Sequence, residues 1–289
     1  MLGLLLTLFF GYTGMGAKRW IRLGGFNLQV SEFAKIALVI FMAKYFHKLN
    51  AEKTIGLIRS IIPLLISLAL FLLVAVQPDL GTALIILILG LVAIFYAGIK
   101  LIYPLLSLLL IALVSPFLWT LLKPYQQNRI MIFLNPDLDP LGKGYHIIQS
   151  KIAIGSGGLN GNGFLEGSQS SLDFLPEKET DFVFAIFSEQ FGFTGSILLI
   201  SIFLIFFLIP ILKTFKLTQL FNKIILFVLS FKIFFEFLIN ISMTIGLLPV
   251  VGVALPFMSY GGSSLLSNMI ICALLMNLMS VEEKKRMFS

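Results

Sequence analysis

The sequence predicts an all-α fold, a polytopic transmembrane helical bundle, and three observations carry that prediction. Hydrophobic residues make up 58% of the 289 residues, charged residues make up only 12%, and the apolar residues gather in long stretches. A soluble globular chain usually carries about a quarter charged residues, so roughly half of the expected charge is missing. This composition excludes a soluble domain, a disordered chain and a disulfide scaffold.

Seven apolar stretches approach or exceed the roughly 20 residues that a helix needs to cross a bilayer. They cover about residues 31–46, 56–76, 81–99, 101–122, 190–212, 223–247 and 263–280. An eighth stretch, 2–15, is too short to span and lacks the basic segment of a signal peptide, so it is interpreted as the tail of a longer helix. We expect a single membrane domain over residues 1–289. Its one large loop, 123–181, contains aromatic and acidic residues as well as glycines, which predicts that it is ordered.

The distribution of charge predicts the orientation of the chain in the membrane. Lys and Arg total 21 against 14 Asp and Glu, which gives a net charge of +7. Short loops that are basic and nearly free of acidic residues are typical of the cytoplasmic side. The 123–181 loop holds most of the carboxylates, so we expect it to face outward from a bacterial cytoplasmic membrane, with the C-terminus inside. The same rule accounts for the basic balance without a nucleic-acid partner.

Cysteine and histidine are scarce in this chain. There is one cysteine, Cys272, and there are two histidines, His47 and His146, which are far apart in sequence. This set provides no intrachain disulfide and no spacing typical of a structural metal centre. The glycines of the long loop lack a phosphate-binding GK[ST] motif, so we interpret each as serving turn geometry.

Four carboxylates end the long loop where the chain re-enters the membrane. They are Asp173, Glu177, Glu179 and Asp181. Negative charges this close at a low-dielectric boundary raise the affinity for a proton, which suits a general base. Asp181 is followed at once by FVFAIF, and an ionisable residue at such an apolar edge is more often functional than not. Glu179 and Glu166 are interpreted as a solvated rim.

Cations in the same loop and polar residues within the spans are open to two interpretations each. Arg129 and Lys151 would either bind phosphate or be plain surface charge. Glu32 and Lys35 share one helix face, and a polar stripe follows the 223–247 span at Lys232, Glu236 and Asn240. An internal ion pair is slightly favoured over a transport path for these groups. Trp20, beside Lys18 and Arg19, would either bind substrate or anchor the chain at the membrane interface.

The motifs together resemble the SEDS family, the shape, elongation, division and sporulation glycosyltransferases of bacteria. They are GAKRWI (16–21), SEFAK (31–35), QPDLGTA (77–83), QNRI (127–130), GKGYH (142–146), AIGSGG (153–158), FLPEKETDF (174–182), SEQFGF (188–193) and GLLPVVGVALPFMSYGGSS (246–264). The similarity covers nearly the whole chain. FLPEK before TDF, and LLPVVGVALPF, look more like the elongation (RodA) branch than the division (FtsW) branch.

The resemblance implies ten transmembrane helices and polymerisation of lipid II into glycan strands on the outer face of the cytoplasmic membrane. It places the essential aspartate of the family at Asp181. It also implies work beside a class B penicillin-binding protein in the elongation (rod) complex, among membrane lipids. A lipid II flippase and a non-catalytic scaffold for a penicillin-binding protein are the alternatives. The family places about three helices before GAKRW, so the first two and some of the third are expected to be absent.

These motifs define the expected site. Asp181 would be the catalytic base, and Arg129 and Lys151 would hold the pyrophosphate. Glu177 or Asp173 would help to bind a divalent cation, Mg²⁺ or Mn²⁺. The remaining candidates for substrate binding come from the other outward motifs and are Lys18, Arg19, Trp20, Asp79 and Ser259. The chain departs from the family pattern at Val30, at Ala254 and at Glu179, which replaces a histidine and adds a negative charge two residues from Asp181.

Overall fold

A computed structural model describes residues 1–14, 17–23, 26–49, 56–100, 102–103, 105–106, 113–114, 117, 119–120, 122, 124–139, 142–167, 175 and 177–287. The helices are α1 Leu2–Phe10, α2 Val30–Lys48, α3 Leu57–Ala75, α4 Leu80–Tyr96, α5 Pro124–Leu134, α6 Lys143–Ser156, α7 Val183–Thr214, α8 Leu220–Thr244 and α9 Gly262–Met287. A short 3₁₀ turn, Pro136–Leu138, lies between α5 and α6. The strands are β1 Tyr12–Gly14, β2 Ala17–Leu23 and β3 Phe26–Gln29.

Four of these helices are long and apolar enough to cross a membrane, namely α3, α7, α8 and the Gly262–Ser280 part of α9. They confirm the helices predicted over 56–76, 190–212, 223–247 and 263–280. The stretches 31–46 and 81–99 also form helices, α2 and α4, and α4 is a shorter apolar helix. The predicted span 101–122 lies largely outside the described residues. The prediction of a helical membrane protein is confirmed.

The first apolar stretch differs from its prediction. Helix α1 ends at Phe10, and Gly11 is extended with φ −66° and ψ 149°. The chain then forms an antiparallel sheet in the order β1-β2-β3, in which Trp20 pairs with Tyr12 and with Gln29. The interpretation of 2–15 as helix is therefore confirmed to Phe10 and wrong over Tyr12–Gly14. Glycines interrupt this segment, and the aromatic and β-branched residues between them favour strands.

The chain divides into two compact units. The first contains Met1–Leu106, Phe206–Phe234 and Gly261–Ser289, and the second contains 107–205 and Phe235–Tyr260. In the first unit, α2, α3 and α4 pack together around buried residues that include Val39, Met42 and Leu89. In the second, Ala153, Leu175, Phe182 and Ala185 form a buried apolar cluster. The expectation of one membrane domain stays a prediction.

Candidate active site

A tight turn precedes α7 and carries the predicted catalytic aspartate. The backbone N–H groups of Thr180 and Phe182 donate to the carbonyl of Glu177 at 3.1 and 3.2 Å. The Phe182 side chain is buried in the apolar cluster of the second unit, whereas Asp181 beside it is only half-buried. The alternation of a polar and a large apolar residue therefore anchors the turn through Phe182 and leaves Asp181 at the surface of the core.

Asn240, on α8, fixes the backbone of Asp181. Its Nδ2 donates to the carbonyl oxygen of Asp181 at 2.9 Å and to that of Val253 at 2.8 Å. Asn240 is fully buried. One amide thus joins the turn before α7 to the loop after α8, and both partners are main-chain groups whose positions it sets.

The loop after α8 brings a glycine close to the carboxylate of Asp181. Gly252 has φ +73°, a backbone conformation that residues other than glycine rarely adopt. A Cβ added there would lie 3.6 Å from Asp181 Oδ2. The backbone of this loop therefore borders the carboxylate. Glycine leaves room beside it that a side chain would occupy.

Ser259 and Tyr260 close the same loop onto the turn. The Ser259 hydroxyl donates to the carbonyl of Thr180 and accepts from the N–H of Leu255 at 2.7 Å. The N–H of Tyr260 donates to the carbonyl of Glu179 at 2.8 Å. Ser259, predicted to bind substrate, is placed where it holds the backbone next to Asp181.

Lys151 reaches the start of this loop from α6. A Cβ added at Gly246, where φ is +76°, would lie 2.2 Å from Lys151 Cε and 2.6 Å from Nζ, so the lysine side chain lies across this glycine. The neighbouring Ser150 hydroxyl donates to the carbonyl of Thr244 at 2.8 Å. Lys151 itself is exposed. A cation and the carboxylate of Asp181 therefore border the same loop, at Gly246 and at Gly252.

The other predicted site residues of the second unit lie in the same turn as Asp181, on α5, or outside the described residues. Arg129 lies on α5, and Asp173 lies outside the described residues. Glu177 is exposed and its Oε2 accepts from the Thr180 hydroxyl at 2.6 Å. Within the described part of the chain, no group of three or more His, Cys, Asp or Glu side chains is arranged to hold a metal ion.

Asp79 and the GAKRW segment belong to the first unit. Asp79 Oδ2 pairs with Arg19 Nη1 at 3.2 Å and accepts from Gln29 Nε2 at 3.1 Å. Its Oδ1 accepts from the N–H of Thr82 at 3.3 Å, so Asp79 also caps α4. Trp20 is half-buried, and Lys18 lies on the same strand, β2. Substrate binding by Lys18, Arg19, Trp20 and Asp79 stays a prediction.

The first unit also holds a buried cluster of charges. Lys35 Nζ donates to Glu32 Oε1 at 2.7 Å, while Glu32 Oε2 accepts from Ser267 at 2.9 Å and lies 3.8 Å from Lys232 Nζ. Lys232 Nζ also donates to Asn268 Oδ1 at 2.6 Å. The predicted internal ion pair is present. Residues of the polar stripe on α8 therefore have different structural roles. Lys232 pairs within this cluster, whereas Asn240 holds the Asp181 backbone.

Comparison with known proteins assigns the chain to a family. The cell cycle protein family that groups FtsW, RodA and SpoVE matches residues 1–284. The chain belongs to this family. The resemblance carried by the sequence motifs is thereby confirmed.

Relatives within the family are similar over most of their length. The peptidoglycan glycosyltransferase MrdB of Escherichia coli (strain K12) is 40% identical, over 97% of this chain and 75% of the relative. The peptidoglycan glycosyltransferase RodA of Treponema pallidum is 35% identical, over 95% of this chain and 80% of the relative. The probable peptidoglycan glycosyltransferase FtsW of a Geobacter species is 38% identical, over 92% and 72%.

Two solved structures share the fold. One is a chain from a study of polymerisation and crosslinking by a peptidoglycan synthase complex, with a TM-score of 0.83 and 31% identity over 97% of this chain and 78% of that chain. The other is a mutant of the rod shape determining protein RodA of Thermus thermophilus, with a TM-score of 0.68 and 25% identity over 96% and 75%.

Proposed function

We propose that this protein is a peptidoglycan glycosyltransferase that polymerises lipid II into glycan strands, with Asp181 as the general base. Its family membership and the names of its relatives support the activity. The placement of Asp181 in the structure supports its role as the base. Its backbone is held by buried Asn240, and its carboxylate borders the Gly252 loop.

The reaction joins two lipid-linked disaccharides. The 4-hydroxyl of N-acetylglucosamine on one unit attacks C1 of N-acetylmuramic acid on the other, and the C1–O bond to undecaprenyl pyrophosphate breaks. The donor linkage is α and the product linkage is β, so one inverting step is sufficient. The attacking hydroxyl loses its proton in that step. A half-buried carboxylate beside a hydrogen-bonded loop is suited to accept the proton and pass it to solvent.

The departing pyrophosphate requires positive charge rather than an acid. Lys151 is an exposed residue of α6 whose side chain lies across Gly246, in the loop that also borders Asp181. Placed there, the ammonium would stabilise the negative charge that develops on the leaving group. Arg129 on α5 is the second cation that we assign to the pyrophosphate, because guanidinium binds phosphate oxygens in pairs.

Orientation and partners follow from the charge pattern and the relatives. We place Asp181 on the outer side of the cytoplasmic membrane, where lipid-linked disaccharide is consumed, and the C-terminus inside. One structural relative comes from a peptidoglycan synthase complex, which supports a class B penicillin-binding protein as a partner of this chain. A role in elongation rests on the motif pattern of the sequence.

The test is polymerisation by the purified protein. The wild type and Asp181→Asn are each incubated with fluorescent lipid II and the partner penicillin-binding protein, and the products are separated on a gel. Because a general base typically contributes about 10²–10⁴-fold, the variant should lose nearly all polymer. Glu179→Gln is the matched control, since it neutralises an exposed carboxylate two residues away.

The same assay separates the enzyme from its alternatives. A flippase or a scaffold would lead Asp181→Asn and Glu179→Gln to behave alike. The flippase hypothesis relied on the stripe of Lys232, Glu236 and Asn240. Lys232 bonds to Glu32 and Asn268 in the first unit, whereas Asn240 bonds to main-chain carbonyls of the second. A polymer yield for Asp181→Asn equal to that of Glu179→Gln would refute the assignment.

A further inference from the structure

An exposed apolar surface surrounds the glycine-rich loop that follows α6. Leu159, Phe164 and Leu165 are 70%, 69% and 68% exposed, and Phe191 and Phe193 on α7 are 40% and 58% exposed. We call these five residues the apolar loop surface. The Phe164 and Phe191 rings lie 6.4 Å apart, so the loop and the helix contribute to one continuous patch.

The loop is fixed to α7 by its backbone. The N–H groups of Phe193 and Thr194 donate to the carbonyls of Gly158 and Leu159 at 2.9 and 3.1 Å. In return, the N–H groups of Asn162 and Gly163 donate to the carbonyls of Glu189 and Gln190 at 3.0 and 3.2 Å. The exposed apolar side chains are therefore presented by a hydrogen-bonded segment.

Glycines make this close approach possible. A Cβ added at Gly157 or Gly161 would lie 2.1 Å from a carbonyl oxygen of α7, at Ser188 and Gln190 respectively. A Cβ at Gly192 would lie 2.3 Å from the N of Gly161. Their role is thus backbone contact between loop and helix, in addition to the turn geometry that the sequence predicted.

The kink in α7 locates the loop relative to the membrane. Gly192 interrupts the helix with φ 64° and ψ −164°. At 1.5 Å per residue, the part from Phe193 to Thr214 is about 33 Å long, which alone matches the roughly 30 Å hydrocarbon core. The kink, and the loop bonded to it, then lie at the bilayer boundary on the side from which α7 begins.

The surface continues into a lipid-facing helix. Ile197, Leu198, Ile202 and Ile205, further along α7, are 46%, 63%, 54% and 58% exposed in a segment apolar enough to span a membrane. Exposed Asn160, Asn162 and Glu166 lie among the apolar residues of the loop. A mixture of aromatic, aliphatic and polar side chains is typical of the layer where headgroups meet acyl chains.

Leu165 adds a backbone observation. Its φ is 64°, in the left-handed region that leucine rarely adopts. Such a conformation persists only where the surrounding structure imposes it, and it is often found at functional positions. Here it coincides with one of the most exposed side chains of the loop.

We propose that the apolar loop surface is inserted into the headgroup–acyl boundary of the bilayer and anchors the loop there. The partner is bilayer lipid, since the surface is continuous with the lipid-facing side of α7. The anchor holds the end of α6, which leads directly into Gly157, at a set height above the membrane. It thereby restricts how far the helix that carries Lys151 can move along the membrane normal.

A spin label tests the depth of the loop. The single cysteine is removed by Cys272→Ala, Phe164→Cys is labelled with a nitroxide, and the protein is placed in lipid nanodiscs. Power saturation then compares collisions with oxygen, which concentrates in lipid, and with a water-soluble nickel chelate. Leu198→Cys on α7 is the lipid reference, and Glu179→Cys is the aqueous reference. Melting temperatures establish that each variant is folded.

We expect the oxygen-to-nickel ratio at position 164 to lie nearer to that of position 198, and the same measurement at Leu159→Cys should agree. A ratio nearer to that of position 179 would overturn the anchor. Protection of position 164 from both reagents would also overturn it, because protein rather than lipid would then cover the surface.

Discussion

Asn240 provides the sharpest prediction, because its amide holds the backbone around Asp181. Asn240→Leu keeps the number and branching of the side-chain heavy atoms and removes the amide that donates to the carbonyls of Asp181 and Val253. A hydrogen bond contributes about 0.5–1.5 kcal/mol net, and polar contacts within membrane proteins average about 0.6 kcal/mol. Loss of both bonds should therefore cost about 1–3 kcal/mol.

If that cost is paid in positioning the base, it raises the barrier to glycosyl transfer. At about 1.4 kcal/mol per tenfold, kcat should fall by about 5- to 150-fold. KM for lipid II should change little, since Asn240 is fully buried. The assay is initial-rate polymerisation of fluorescent lipid II over a range of concentrations, with melting temperatures as a measure of folding.

Thr244→Val on the same helix is the matched control. Thr244 is equally buried, but its hydroxyl donates to the carbonyl of Ile241, one turn back on the same helix. We expect it to lower the melting temperature slightly and to keep kcat within about threefold, as loss of one weak hydrogen bond allows. A folded Asn240→Leu protein with the kcat of Thr244→Val would refute the positioning role.

Three further substitutions test the surrounding structure. Gly252→Ala should lower kcat more than Gly98→Ala, because both glycines have positive φ but Gly252 borders the Asp181 carboxylate. Polymerisation rates of the two variants compare them. Gly161→Ala should destabilise the folded protein by about 1–3 kcal/mol, because the added Cβ overlaps with the backbone of α7. Gly155→Ala is the control, since a Cβ there meets open space. Equal melting temperatures of the two variants would contradict this prediction. Glu32→Gln leaves two lysines buried without their carboxylate and should cost about 3–5 kcal/mol, so an unchanged melting temperature would exclude a stabilising ion cluster.

The helices were predictable because hydropathy and length decide them. Comparing the length of each apolar stretch with the thickness of a bilayer was sufficient to predict the helices over 56–76, 190–212, 223–247 and 263–280. The sheet over 12–29 was not, since its strands are short and its pairing of Trp20 with Tyr12 and Gln29 is a tertiary property. A hydropathy window has no means of separating such strands from the end of a helix.

The candidate site also contains features that local sequence indicates and features that it does not. Asp181 was chosen from the sequence because an acid directly before an apolar stretch costs energy unless it has a function, and its catalytic role stays a prediction. The role of Asn240 was not, because helical periodicity grouped it with Lys232 and Glu236. Its actual partner, the carbonyl of Asp181, is 59 residues distant in sequence. Local spacing predicts which residues share a helix face, whereas it does not predict which distant carbonyl a buried amide will meet.

The central claim is that Asp181 accepts the proton of the attacking hydroxyl. The most direct test is kcat for Asp181→Asn at saturating lipid II, measured beside lipid II binding in the same purified protein. We expect kcat to fall by about 10²–10⁴-fold with binding retained, because the amide keeps the shape of the carboxylate but accepts no proton. A kcat within about threefold of the wild type, with lipid II still bound, would contradict it.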